Sequence, residues 1–204
     1  MKMRFFSILL LMLWQPAAMA QPAPGPRLMP DRDVDVTYAI DPGALHQGGA
    51  PPGLALHQRM RYSARLQKLR VDPPSTGMHV TIDYATGRMA MIRDAARSVI
   101  EMNAPPGTKA GPGGLPALAG VAHTHWQRAG SAMVAGLGCT EWRGKAANGT
   151  PVTMCQTADG VMLRLDLSGR QVLHATSVTF AHQPAALFAN PPGYAVQHLD
   201  GPQG

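Results

Sequence analysis

Residues Asp33 to Ile40 read DVDVTYAI, and their alternation decides the fold class. Val34, Val36, Tyr38 and Ile40 fall on one side of an extended chain, with Asp33, Asp35 and Thr37 on the other. Successive side chains of a strand point to opposite faces, so a period of two describes a strand buried on a single face. The pattern recurs downstream. Met78 to Tyr84 sets Val80, Ile82 and Tyr84 against His79, Thr81 and Asp83, and Val161 to Leu167 sets Val161, Leu163, Leu165 and Leu167 against Met162, Arg164 and Asp166. Met60, Tyr62, Ala64 and Leu66 oppose Arg59, Arg61, Ser63, Arg65 and Gln67. Parity slips at Lys68, and a β-bulge near Gln67-Lys68 is expected to restore the register for Leu69 and Val71.

Further strands are expected at Arg88 to Asp94, Arg97 to Met102, Ser131 to Arg143, Thr150 to Gln156 and Gln171 to Phe180. Asn148-Gly149 and Asp159-Gly160 are strong turn pairs because both residue types tolerate positive φ. No segment carries a long 3.6-residue period, and a single helical turn fits between Pro184 and Phe188. Ala104 to Gly120, rich in glycine and proline, is expected to be a long loop acting as a flap or crossing connection. These elements predict one all-β domain over residues 33 to 196: a strongly curved antiparallel sheet or incomplete β-barrel of eight to ten strands. Residues 21 to 32 form an extended, mobile, proline-rich lead-in, and residues 197 to 204 a tail.

The first twenty residues bear on compartment. Lys2 and Arg4 precede an apolar run from Phe5 to Trp14, and Ala18-Met19-Ala20 places small residues where a signal peptidase cuts. This reads as a secretory signal, too short in its apolar centre to stay as a spanning helix. The expected product is a soluble periplasmic or secreted bacterial protein. Losing Lys2 and Arg4 takes the formal charge from +6 to +4, mildly basic and far from the footprint of a nucleic-acid binder.

Cys139 and Cys155 are the only cysteines, and the expected compartment favours their oxidation. Their midpoint in sequence is Ala147, inside a turn, so a symmetric hairpin places them opposite one another, with Trp142 opposite Val152. A structural disulfide is expected; the Cys-x-x-Cys spacing of a redox pair is missing.

Residues Val134 to Trp142 (VAGLGCTEW) resemble the strand "(I/V)-A-G-x-x-C-x-x-(W/Y)" of exported proteins carrying a domain of unknown function, the DUF4412 family. Ala158-Asp159-Gly160-Val161 and the tail Leu187 to Tyr194 (LFANPPGY) fit the same pattern. More distantly, the succession of strands resembles the LolA and LolB lipoprotein-carrier superfold, which bends an antiparallel sheet around an apolar groove. The resemblance implies a binding or carrier protein for a lipid-like or other hydrophobic molecule. Methionine content agrees, since this side chain adapts its shape to irregular apolar partners. The alternative is a cell-envelope protein–protein interaction module without a small ligand, working through the basic strand.

Enzymatic signatures are absent: there is no G-x-S-x-G, no phosphate-cradling glycine loop and no paired carboxylates, so neither an enzyme nor a cofactor is expected. His123 and His125 share the side of a strand at a spacing zinc sites use, but no telling third ligand accompanies them. His174, His79 and Asp83 complete the metal candidates, with solvated histidines at a strand edge the preferred reading. Arg59, Arg61 and Arg65, with Lys68 and Arg70, are the candidate surface contact for lipid head groups or an acidic partner. The plainer reading is the wetted face of a sheet.

Overall fold

The computed structural model describes residues 25–41, 56–74, 77–104, 125–146 and 148–199. Residues 1–20, read above as a secretory signal, most of the 104–120 segment and His123 lie outside the described residues. Among the described residues, twelve strands form one open sheet: β1 (Val34–Ile40), β2 (Leu56–Ser63), β3 (Lys68–Asp72), β4 (Met78–Asp83), β5 (Arg88–Arg93), β6 (Ser98–Asn103), β7 (Gln127–Val134), β8 (Leu137–Lys145), β9 (Pro151–Gln156), β10 (Met162–Leu167), β11 (Arg170–Thr179) and β12 (Ala195–Leu199). Their spatial order is β12-β6-β5-β4-β3-β2-β1-β11-β10-β9-β8-β7. Two antiparallel meanders, β2 to β6 and β7 to β11, therefore flank β1, and β7 and β12 are the edges. Every pairing is antiparallel except β12 with β6, which is parallel. Among the described residues one 3-10 turn spans Ala185–Phe188.

Alternation on β1 translates into burial as expected: Val34, Val36 and Tyr38 are wholly sealed from solvent. They join Met60, Leu69 and Ile82 from one meander and Met154, Met162 and Leu163 from the other in one core. The Tyr38 hydroxyl crosses this core and donates to the Met162 carbonyl at 2.7 Å, which satisfies the one polar atom the ring carries inward. A bulge bends β11 where it meets β1. Thr37 faces Ser177 and Tyr38 faces Ala175, so Thr176 is the extra residue, and its hydroxyl donates to the Thr37 carbonyl.

Twelve strands replace the expected eight to ten because two predicted long strands fold back on themselves. Gln67 sits at φ +52°, closing a turn from Ala64 to Gln67 that pairs Tyr62 with Leu69 and Met60 with Val71. The parity slip at Lys68 is thus a hairpin return and not a bulge. Ala135 and Gly136 both take positive φ, +49° and +75°, so the predicted Ser131 to Arg143 strand is a two-residue hairpin of the type whose twist matches its strands. A third addition is β12, which runs to Leu199.

Cys139 and Cys155 are disulfide-bonded with Cα atoms 5.5 Å apart, and both are buried. Their register differs from the symmetric expectation. Cys155 faces Glu141 and Trp142 faces Met154, so the bridge runs diagonally, two residues off the directly opposed position. The turn between β8 and β9 is centred one residue later than sequence midpoint counting places it: Ala146 donates to Thr150 and Gly149 to Ala146.

Part of the lead-in is held down. The Arg27 N–H donates to Gln156 Oε1 at 2.8 Å, Gln156 Nε2 donates back to the Arg27 carbonyl at 2.7 Å, and the Asp31 N–H donates to the Asp159 carbonyl. Gly160, at φ +86°, admits this strand of chain: a Cβ there would lie 2.6 Å from the Met29 carbonyl oxygen. Gly160→Ala is expected to destabilise the protein by about 1–3 kcal/mol, from backbone strain and loss of this docking. Reduction of the disulfide should remove about 3 kcal/mol from the stability of the parent chain. Urea unfolding of each sample reads both effects.

Candidate functional site

The two faces of β2 to β6 differ in chemistry, and register decides which residues share a face. Across one face, Leu69, Ile82, Met89, Met102 and Leu199 form a continuous row over β3-β4-β5-β6-β12. A parallel row runs through Val71, Val80, Met91 and Ile100. Exposure rises toward the edge: Leu69 and Ile82 are fully sealed, Met89, Met91, Ile100 and Met102 are partly buried, and Leu199 is 53% exposed. Methionine is unbranched and polarizable, so three of them on neighbouring strands make a deformable apolar surface. Alternation alone locates Met89, Met91 and Met102 on one side; that they continue the core face became visible only with the strand order.

The opposite face is charged and self-neutralised. Arg59 pairs with Asp35, Arg61 and Arg70 converge on Asp72, Lys68 meets Asp83, and Arg88 meets Glu101. Burial pushes the Asp72 carboxyl up, but the two guanidiniums hold it below the usual range. The candidate contacts Arg59 and Arg61 are therefore strand-to-strand ion pairs, while Arg65 sits exposed in the Ala64 to Gln67 turn.

Residues 181 to 194 cross this face as a strap. The Gln183 N–H donates to Asp33 Oδ2 at 2.8 Å, Arg70 donates to the Leu187 carbonyl, Asn190 donates to Glu101 at 2.7 Å, and the Tyr194 hydroxyl donates to Asp94 at 3.1 Å. Phe188 is buried beneath it, and Tyr194 packs on Ala90, Ile92 and Val99. Between strap and sheet lies an open cleft of about 370 Å³ lined by Lys68, Thr81, Asp83, Arg88, Glu101 and Asn190, whose charges already pair with one another.

The metal candidates are not brought together. His125 lines a cleft with Gln127, Arg143 and Lys145, a cationic wall hostile to a metal ion. His174 contacts Gln171 on β11. Asp83 accepts the Thr86 N–H and pairs with Lys68. His79 is buried beside Asp94 at 3.5 Å, and burial together with Arg70 depresses its basicity. Among the described residues no three such side chains cluster as a metal site.

No family model matches the chain and no curated protein matches it, so the DUF4412 resemblance rests on the quoted residues alone. Solved structures share the fold. An uncharacterized conserved protein from Thermus thermophilus superposes with a TM-score of 0.57 at 10% identity, over 83% of this chain and 91% of that one. A MucA/MucB complex from Pseudomonas aeruginosa matches with a TM-score of 0.51 at 14% identity, over 82% of this chain and 58% of that one. A LolA superfamily protein from Nitrosomonas europaea covers 78% of this chain and 91% of that one at 11% identity, but its TM-score of 0.35 is too low to argue from. The class is thus an open, curved β-sheet scaffold. No helix among the described residues is long and apolar enough to cross a membrane.

The strap supplies a pH prediction. Burial raises the Asp33 carboxyl, but N–H donation from Gln183 and Ala64 outweighs it and holds the group below its usual value. A depressed folded pKa contributes stability above the unfolded value of about 4, lost as pH falls through the folded one. Asp33→Ala should cost about 2–4 kcal/mol at pH 7, and clearly less near pH 2, in urea titrations at the two pH values.

Proposed function

We propose that this is an exported cell-envelope protein that holds a lipid-like hydrophobic molecule against the methionine-bearing face of β4, β5 and β6. The observation that carries the reading is the graded row from sealed Leu69 and Ile82 to partly buried Met89 and Met102 and exposed Leu199. Such a row gives an acyl chain or similar ligand apolar contact continuous with the core. Each fully covered methylene would contribute about 0.8 kcal/mol. The signal-like residues 1 to 20 support a periplasmic or secreted location, where a water-insoluble molecule needs a protein to cover it.

A second reading, an envelope interaction module for a protein partner, draws support from the fold shared with the MucA/MucB complex. Because Arg59 and Arg61 are already neutralised by Asp35 and Asp72, an acidic partner would meet Arg65 first.

Delipidated protein titrated with a fluorescent fatty acid separates the two. Saturable binding is expected, with Met91→Asp and Met102→Asp each weakening it by about tenfold or more and Arg65→Glu leaving it unchanged. Absence of saturable binding, together with no apolar molecule in solvent extracts of the freshly purified protein, would overturn the lipid reading. Partner capture that Arg65→Glu abolishes would then favour the module.

A further inference from the structure

We propose that the His125–Gln127–Arg143–Lys145 cleft, at the β8–β9 turn end of the β7–β8 pair, binds a phosphate group, free or carried on a lipid head group. Charge pairing across the molecule isolates this place. Eleven of the chain's twelve carboxylates are described, and each has an arginine, lysine or histidine within 4.0 Å. None of those partners is Arg143 or Lys145. Each described carboxylate thus lies beside another side chain, and none of them neutralises Arg143 or Lys145. Of the other cations outside these pairs, Arg93 donates to Ser98, Arg97 lies over the Tyr194 ring, and Arg65 stands by itself in a turn. Arg128 lines a separate cleft beside Trp142.

Arg143 and Lys145 differ. They are two residues apart on β8, both exposed, and so project from the same face about 7 Å apart. Gln127 faces Arg143 directly across the β7–β8 ladder, and His125 lines the same cleft of about 430 Å³. Directly opposed side chains start about 5 Å apart. Side chains rooted about 5–7 Å apart can converge so that each donates over about 2.8 Å to a different oxygen of one tetrahedral anion. A guanidinium supplies two parallel N–H groups to that anion, the ammonium a point charge, and the amide and imidazole further N–H donors. Among the described residues no Asp or Glu lines the cleft to compete. This site is independent of the apolar face on β4 to β6, so either can fail without the other.

The test uses the purified full chain in phosphate-free buffer at low ionic strength, with two probes. Inorganic phosphate is titrated by calorimetry, and vesicles of phosphatidylglycerol are compared with phosphatidylcholine by co-sedimentation. Saturable binding of phosphate, or retention on phosphatidylglycerol but not phosphatidylcholine vesicles, is expected; the first identifies a free phosphate ligand and the second a head group. The double variant R143Q/K145Q should weaken either by about tenfold or more, R143K should fall between because it keeps charge but loses the fork, and R65Q should bind as the parent does. Circular dichroism confirms that these exposed substitutions leave the sheet intact. Failure of the parent to bind either probe, undiminished binding by R143Q/K145Q, or an equal loss in R65Q would each overturn the site.

Discussion

The sheet depends on β1. Its backbone pairs with β2 on one side and β11 on the other, so a single seven-residue strand joins two meanders that otherwise share no ladder. Its inward side chains, Val34, Val36 and Tyr38, are the seam of the common core, and the Tyr38 hydroxyl spans it to Met162. Pairing of β1 with β11 closes more than a hundred residues of chain. Such a contact has a high loop-closure cost and must be offset by well-packed apolar burial. β1 supplies that burial from the middle of the sheet, with Val34, Val36, Tyr38, Ala39 and Ile40 all buried.

Once β1 sets the order, the two faces of β2 to β6 diverge in use. One carries apolar residues that thin out toward the β12 edge. The other carries cross-strand ion pairs and lies under the 181–194 strap, whose hydrogen bonds reach Asp33 on one side and Asp94 on the other. The exposed pairs among them, such as Arg59 with Asp35, contribute little each, but together these contacts engage the carboxylates of this face and none reaches the β8 cations Arg143 and Lys145. The strap also ends one edge problem, since β12 adds itself in parallel to β6 and covers what would be a bare strand.

Particular residues mark how far pattern reading reaches. Alternation over 33–40 located a strand and its buried side; over 78–84 and 161–167 it located strands, but His79, Thr81 and Met162 on the side read as outward are buried as well. Asp159-Gly160 announced a turn, and the cysteine pair announced a bridge. Hairpin returns escaped, because Gln67 and Ala135 are residues for which positive φ is uncommon and which therefore give no turn signal. Midpoint counting between Cys139 and Cys155 missed the diagonal register because it assumed a symmetric turn. Arg59 and Arg61 looked like a basic stripe; Asp35 and Asp72, their partners, lie 24 and 11 residues away and are adjacent only in the sheet.

The amino-acid sequence by itself determined the all-β class, the inward side chains Val34, Val36 and Tyr38 of β1 and the disulfide, because these follow from local period and chemistry. Tertiary structure decided strand order, which charges cancel, which methionines remain within reach of solvent and that no described carboxylate pairs with Arg143 or Lys145. Those properties are relations between strands distant in sequence, fixed by hydrogen-bond ladders and burial that no local pattern encodes.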